Sequence, residues 1–106
     1  MHEHGLAKEF MPQLETIAAN NGFARVTYLE MIVGMLHGES EEALAHGFEH
    51  AFKGTSFEGA DTDISVVEPG SQFKAPGRSD IQTANGWELL IVRIQGDKKP
   101  QEMTNQ

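Results

Sequence analysis

The sequence predicts an α/β (α+β) fold in which a small three-stranded sheet carries two helices on one face. Two segments have apolar residues at helical spacing, and three others are rich in β-branched and large apolar residues. Their order along the chain is helix, strand, helix, strand, loop, strand. The chain has 106 residues, of which 39% are hydrophobic, enough for one domain with a modest core. We expect that domain to span residues 1–96, with a disordered polar tail at residues 97–106.

The first helix is predicted from about residue 4 to residue 20, where five apolar residues recur at helical spacing: Leu6, Phe10, Leu14, Ile17 and Ala18. Asn21 and Gly22 end the helix, since glycine readily takes the left-handed conformation of a C-cap. Pro12 lies inside this segment and removes one helical hydrogen bond, which costs about 3 kcal/mol. Two interpretations follow: the helix kinks at Pro12, which the continuous apolar stripe favours, or it begins near Met11.

The first strand is predicted from Arg25 to Met35, where β-branched and large apolar residues dominate. Alternation places one set on one face of the sheet: Leu29, Met31 and Val33. The opposite face then carries a second set: Val26, Tyr28, Glu30 and Ile32. We expect the first face to lie under the helices, because the carboxylate of Glu30 and the phenol of Tyr28 favour water.

The second helix is predicted to begin after Ser40 and to end near Lys53, where Gly54 follows. Serine is a preferred N-cap, and the two glutamates that come next suit the positive end of the helix dipole. The predicted core stripe of this helix is Leu44, Phe48, Ala51 and Phe52.

Two further strands are predicted in the second half of the chain. Alternation from Thr62 to Val67 indicates a strand that Pro69 and Gly70 end. Residues 70–86 are rich in Gly, Ser, Pro and Asn and are predicted to form a loop. A strongly apolar strand is predicted from Trp87 to Ile94, and we expect Trp87 to lie in the core.

Composition and charge exclude several functions. The net charge of −8 argues against nucleic acid or an anionic membrane as a partner, because both require a basic surface. No signal peptide or membrane-spanning run is recognisable, so we expect a cytoplasmic protein. The absence of cysteine excludes disulfides and thiolate metal sites. Enzyme chemistry has little support, since the chain has no P-loop, no dinucleotide fingerprint and no cysteine nucleophile.

The strongest candidate site is the start of the chain, Met1-His2-Glu3-His4. The α-amino group of Met1, the amide nitrogen of His2 and the imidazole of His2 can close adjoining chelate rings on one ion. Such a nitrogen set suits Ni²⁺ or Cu²⁺, which favour square-planar or tetragonal sites. Glu3 and His4 are candidates for a fourth or axial position. The alternative interpretation is a polar, frayed terminus without a specific function.

The remaining histidines are weaker candidates. His46 and His50 are four residues apart on the second helix, a spacing used by paired metal ligands, but the intervening residues do not form a known metal motif. A solvent-exposed helix face is the favoured interpretation for both. His37 is predicted to be an ordinary residue of the turn before the second helix. If that turn folds close to the N-terminus, His37 becomes a candidate for an additional ligand.

Several motifs together make the chain resemble a known family. They are the Met1-His2-Glu3 start, Gly22-Phe23-Ala24-Arg25-Val26, Gly34, Glu41-Glu42-Ala43-Leu44-Ala45-His46-Gly47-Phe48, Lys53-Gly54-Thr55 with Glu58-Gly59-Ala60, and the stretch from Gly86 to Ile94. In this combination the chain resembles the HypA/HybF nickel metallochaperones of hydrogenase maturation. The resemblance covers residues 1–69 and 86–96. It implies Ni²⁺ ligands at Met1, His2 and Glu3, and a maturation GTPase or a nickel-enzyme precursor as partner.

The chain departs from that family at one place. The family inserts a zinc domain with two Cys-x-x-Cys pairs before the last strand, where this chain has residues 70–86 and no cysteine. We therefore expect no structural zinc. Two functions remain open: a nickel-delivering metallochaperone for an enzyme such as [NiFe] hydrogenase, or an interaction module that keeps the fold without transferring metal. The resemblance leaves the oligomeric state open.

Overall fold

The computed structural model describes the backbone of residues 2–100 and the side chains of residues 5–100. Within that range the elements are α1 (His2–Asn20), β1 (Phe23–Gly34), a 3-10 turn (Met35–His37), α2 (Glu41–Phe52), β2 (Asp61–Val67), β3 (Gln72–Lys74), β4 (Ile81–Thr83) and β5 (Leu89–Lys98). β1 is the central strand of a three-stranded sheet, parallel to β2 and antiparallel to β5. The predicted architecture is confirmed. Neither helix in this part of the chain is long and apolar enough to span a membrane.

α1 includes Pro12 and extends on both sides of it, so the interpretation that the helix begins near Met11 is wrong. The Thr16 hydroxyl donates a hydrogen bond to the Pro12 carbonyl oxygen at 3.0 Å. The helix ends as predicted, with Gly22 at φ +72°. Leu6 and Ile17 of the predicted stripe are half-buried. The side chains that α1 buries in the core are Ala7, Phe10, Met11, Leu14 and Ala18.

α2 begins and ends as the sequence predicts. The Ser40 Oγ accepts a hydrogen bond from the backbone N–H of Ala43 at 3.0 Å, and this satisfies one of the free donors of the first turn. Leu44, Phe48 and Phe52 are buried. The ring of Phe48 meets the ring of Phe10 edge-on, with 6.5 Å between the centroids, so the two helices pack against each other as well as on the sheet.

The face of β1 predicted to lie under the helices is fully buried at Leu29, Met31 and Val33, which confirms the prediction. The assignment of Val26 to the opposite face is wrong, because its side chain is also in the core. The register explains the difference: Val26 pairs with Gly96 and Tyr28 with Gln95, so Thr27 is one extra residue in β1. A bulge of this kind shifts the alternation by one position.

A second irregularity lies in β5, where Val92 is the extra residue between the pairs Glu30–Arg93 and Met31–Ile91. Because of it, Ile91 and Ile94 both pack against the core although they are three residues apart. The strand also begins and ends later than predicted. Residues 97 and 98, which the sequence assigned to a polar tail, instead pair with Arg25 and Phe23 of β1. Residues 101–106 of that predicted tail lie outside the described residues.

The prediction that residues 70–86 form a loop is wrong, because part of this segment is a hairpin. Gln72–Lys74 and Ile81–Thr83 pair as a short antiparallel hairpin, β3–β4, separate from the main sheet. Its turn is tied by Arg78, whose guanidinium donates to the Asp80 carboxylate. The segment has too few apolar residues for alternation to reveal two three-residue strands. The predicted core position of Trp87 is also wrong, because 58% of this residue is exposed.

The segment from Gly54 to Ala60 folds into a compact turn that joins α2 to β2. The Thr55 hydroxyl donates to the Phe52 carbonyl at 2.7 Å and accepts from the N–H of Phe57 at 3.0 Å. The Glu58 carboxylate accepts from the N–H of Gly54 at 3.1 Å. These bonds direct Phe57 inward, where it is fully buried. The centroid of its ring lies 5.2 Å from the ring centroid of Phe52. The Gly-Thr-x-x-Glu-Gly-Ala motif is thus a structural element that inserts one aromatic ring into the core.

Candidate metal centre

The first turn of α1 carries three of the four predicted metal ligands, His2, Glu3 and His4. Met1 lies outside the described residues, and the backbone alone is described for His2, Glu3 and His4. The first four N–H groups of an α-helix have no acceptor within the helix, and the amide of His2 is the first of them. Coordination of a metal by this nitrogen therefore breaks no helical hydrogen bond. The ligand set itself stays a prediction.

An open cleft of about 440 Å³ lies beside the start of α1. Its walls come from two elements, the first turns of α1 and the turn that follows β1: Gly5, Leu6, Glu9, His37, Gly38 and Glu39. The sequence could not decide whether the turn after β1 folds near the N-terminus. The structure brings the two together, and His37 lines the cleft.

The imidazole of His37 is held by Trp87. Its Nε2 lies 3.0 Å from the Trp87 carbonyl oxygen, and the two rings meet edge to face with 5.3 Å between centroids. A carbonyl oxygen can only accept a hydrogen bond, so Nε2 must carry the proton and donate it. The second ring nitrogen, Nδ1, then has a lone pair in the neutral ring. This is the tautomer that a histidine needs in order to bind a metal through Nδ1.

The position of His37 is fixed by the packing of two chain segments behind it. The N–H of Gly34 donates to the Glu88 carbonyl and the N–H of Leu36 donates to the Gly86 carbonyl, both at 2.8 Å. The Glu88 carboxylate in turn accepts from the N–H groups of Asn85 and Gly86 at 2.8 and 3.0 Å. The turn that carries His37 is therefore attached to the entry of β5 and not only to its own strand.

His46 and His50 lie on an exposed side of α2, as predicted, with 6.0 Å between ring centroids. They line different clefts. His46 lines the wide cleft between α2 and β2 together with acidic side chains, whereas His50 lines a smaller one beside Lys8 and Met11 of α1. Within residues 5–100 no group of three His, Asp or Glu side chains is arranged to hold a metal ion. The described side chains alone thus form no complete metal site.

The contact between His37 and Trp87 was not predicted, although both residues were considered separately. They are 50 positions apart in the chain, so no local pattern links them. The available signal was a pair of glycines, Gly34 and Gly86, at the end of one predicted strand and the start of another. Glycine in such positions often marks a close approach of two backbones.

Comparison with known proteins agrees with this architecture. The family model described as "HypA: Hydrogenase/urease nickel incorporation, metallochaperone, hypA" matches residues 1–95. The solution structure of the Ni metallochaperone HypA from Helicobacter pylori has the same fold, with a TM-score of 0.62 at 13% identity over 93% of this chain and 100% of that chain. The fold is thus that of a small metallochaperone domain. The chain belongs to the HypA family.

Two relatives illustrate the sequence similarity. The hydrogenase maturation factor HypA of Rhodobacter capsulatus is 34% identical over 100 residues, which cover 88% of either chain. That of Roseiflexus sp. (strain RS-1) is 40% identical over 67 residues, which cover 63% of this chain. The matched part spans only 54% of the Roseiflexus protein, little more than half of its length.

Proposed function

We propose that this chain carries Ni²⁺ for the maturation of a nickel enzyme such as [NiFe] hydrogenase. The ion is held at the N-terminus by the Met1 amine, the amide nitrogen of His2 and the His2 imidazole, and Glu3 or His4 completes the shell. The single observation that carries the proposal is the family match, which begins at residue 1 and so includes the Met-His-Glu start. The protein acts as a carrier of its cargo ion and not as an enzyme.

A terminal site suits delivery because the ion can be released without unfolding the domain. The first side chain of α1 described as fully buried is Ala7, which follows the proposed ligands by three or more residues. Rearrangement of residues 1–4 around a metal therefore leaves the core contacts of α1 in place. An ion bound in the core, by contrast, could leave only through local unfolding.

The proposed recipient is a maturation GTPase or the precursor of the nickel enzyme. Delivery requires that the recipient replace the ligands of this chain one at a time, and a terminal site exposes them for such exchange. The net charge of −8 supports a cationic cargo, because it raises the local concentration of cations around the molecule.

The test is Ni²⁺ calorimetry on the chain with a free, untagged N-terminus. We expect one ion per chain and a loss of binding in two variants, His2→Ala and a form with one extra N-terminal residue. The first deletes the imidazole, and the second converts the Met1 amine into a non-basic amide. Binding should also weaken as the pH falls, because protons compete with the metal for all three nitrogens.

The matched control is the double variant His46→Ala with His50→Ala, which removes two exposed imidazoles of α2 and should leave the affinity nearly unchanged. Equal Ni²⁺ affinity with and without His2 would show that the N-terminal site is wrong. A concurrent loss in the double variant would then assign the metal to α2.

The second candidate function is an interaction module that retains the fold but transfers no metal. The observation that favours it is the complete absence of cysteine from the 106 residues. This candidate predicts that the untagged chain binds a hydrogenase maturation partner equally well with and without Ni²⁺. A metal carrier instead predicts that its binding to the recipient changes when the ion is loaded.

A further inference from the structure

We propose that Asn85 is a site of spontaneous chemical modification, at which its side-chain amide is converted into aspartate and isoaspartate. The nucleophile is the backbone nitrogen of Gly86, and the Glu88 carboxylate is the base that accepts its proton. The inference does not depend on nickel or on the N-terminal site, because it concerns the short connection between β4 and β5. Asn85 is exposed in this connection, so water reaches its side chain.

The reaction has two steps and consumes only water. In the first step the nitrogen of Gly86 forms a bond to the side-chain amide carbon of Asn85, Cγ, while the bond from Cγ to Nδ2 breaks. The attacking nitrogen loses its proton to the base, the departing Nδ2 takes up a proton and leaves as ammonia, and a cyclic imide remains. In the second step water opens one of the two imide carbonyls. Opening at one carbonyl gives aspartate, and opening at the other gives isoaspartate, whose main chain runs through the former side chain.

The first argument is the position of the reacting atoms. The backbone N–H of Trp87 donates to the Oδ1 atom of Asn85 at 2.8 Å. This hydrogen bond forms an Asx turn, in which the side chain folds over the peptide bond that follows it. The nitrogen of Gly86 belongs to that peptide bond, so Cγ and the nitrogen are part of the same hydrogen-bonded ring. Residue 86 also has no Cβ atom that would obstruct the attack.

The second argument is the set of hydrogen bonds around these atoms. Negative charge develops on Oδ1 as the new bond forms, and the Trp87 N–H that already donates to this atom stabilises it. The Glu88 Oε1 accepts from the N–H of Gly86 at 3.0 Å, within reach of the proton that must leave. A second bond, from the Asn85 N–H to Oε2 at 2.8 Å, holds the carboxylate in place. The turn therefore supplies both an oxyanion donor and a base.

The third argument is a comparison with the second Asn-Gly pair of the sequence, Asn21-Gly22. The Nδ2 atom of Asn21 donates to the Ile17 carbonyl at 2.8 Å, which directs this side chain back along α1. The N–H of Gly22 donates to the Ala19 carbonyl at 3.0 Å, and a carbonyl oxygen is a far weaker base than a carboxylate. The two pairs have the same residues in different surroundings, so the fold predicts different rates at the two sites.

The modification acts on the contact between the end of β1 and the segment before β5. The Gly86 carbonyl accepts from the N–H of Leu36 at 2.8 Å, and Gly86 packs on the backbone of Gly34. Isoaspartate lengthens the main chain by a methylene group directly beside this contact. Either product also places a new carboxylate next to that of Glu88. Modification of Asn85 therefore weakens the attachment of the turn that follows β1.

The experiment incubates the full chain at neutral pH and follows both sites over time by mass spectrometry of tryptic peptides. Trypsin places Asn85 in the peptide 79–93 and Asn21 in the peptide 9–25, where fragment ions separate it from Asn20. In the folded chain we expect the amide of Asn85 to be lost faster than that of Asn21. In guanidinium chloride, which unfolds both pairs, we expect similar rates. Similar rates in the folded chain, or a faster loss at Asn21, overturn the proposal.

The variant Glu88→Gln tests the base, because the glutamine side chain has nearly the same size but cannot take up the proton. We expect it to slow the loss of the Asn85 amide about 10-fold, less than the about 10²-fold or more of an enclosed general base, because Glu88 is only half-buried. Glu42→Gln on α2 is the matched control and should leave the rate unchanged, since Glu42 lines a different cleft.

An unchanged or faster loss in Glu88→Gln overturns the role of Glu88 as the base, and a faster loss would show that its hydrogen bonds protect Asn85. Should this variant unfold, the comparison of Asn85 with Asn21 in the folded wild-type chain decides the matter.

Discussion

Gly34, the last residue of β1, packs directly on the backbone of Gly86. A Cβ atom added to Gly34 would overlap the carbonyl carbon and oxygen of Gly86. Next to this contact, the N–H of Leu36 donates to the Gly86 carbonyl at 2.8 Å. The glycine pair therefore sets the distance between the turn that bears His37 and the segment that bears Trp87.

We predict that Gly34→Ala destabilises the domain. The backbone of Gly34 is compatible with alanine, since its φ is −73°, so the effect is steric. The overlapping atoms belong to a backbone that cannot move without breaking its hydrogen bonds, and such overpacking costs about 1–3 kcal/mol. Chemical denaturation measures the free energy of unfolding.

The control for this variant is Gly5→Ala in α1. A Cβ atom at Gly5 meets nothing within 4 Å, and alanine is favoured over glycine in a helix by about 0.5–1 kcal/mol. We expect the control to be as stable as the wild-type chain or more so. Equal stability of Gly34→Ala and the wild-type chain would contradict the close contact.

A second prediction concerns Phe57 in the turn between α2 and β2. Phe57→Ala should lower the free energy of unfolding by about 3–5 kcal/mol, as deletion of a fully buried aromatic ring does. That is a large part of the stability of a small domain. The matched control is Phe73→Ala in β3, where the ring is half-buried outside the core. A loss in Phe57→Ala as small as that expected for a half-buried ring would contradict the prediction.

A third prediction concerns Tyr28, the only tyrosine of the sequence. Desolvation, followed by the negative charges of Glu30 and Asp63, raises the pKa of Tyr28 above its ordinary value of 10.0. Between the unfolded and the folded pKa the native state binds more protons, so the stability of the fold must fall as the pH rises above about 10. Absorbance of the phenolate gives the pKa directly.

Asp63→Asn should lower the pKa of Tyr28, because it removes a negative charge whose Oδ2 lies 3.4 Å from the phenol oxygen. Asp80→Asn is the control, since Asp80 belongs to the separate β3–β4 hairpin and pairs with Arg78. An unchanged pKa in Asp63→Asn, or an equal shift in both variants, would refute the assignment.

A fourth prediction is that the fold does not depend on zinc. Without cysteine the chain cannot form the thiolate sites that stabilise small zinc domains. Removal of metal by EDTA should therefore leave the midpoint of thermal unfolding unchanged. Stoichiometric zinc in the purified protein, together with a lower midpoint in EDTA, is the result that contradicts the prediction.

Local sequence signals determined the elements of the main fold. The apolar spacing of α1 and α2, the Ser40 cap and the alternation around Leu29 all depend on residues that are close in the chain, and the structure agrees with each of them. The N-terminal chelate was likewise read from adjacent residues. It remains a prediction, because Met1 and the side chains of residues 2–4 lie outside the part of the chain that the structure describes.

The strand register and the position of Trp87 were decided by the tertiary structure alone, because both depend on contacts between segments that are distant in the chain. The register of β1 against β5 created the extra residues Thr27 and Val92, which turned Val26 inward and brought Ile91 and Ile94 to one face. No short-range pattern specifies which strand residue is left unpaired. In the same way, the backbone contact between Gly34 and Gly86 joins two distant segments. Beside it, the carbonyl oxygen of the exposed Trp87 accepts a hydrogen bond from His37, 50 residues away.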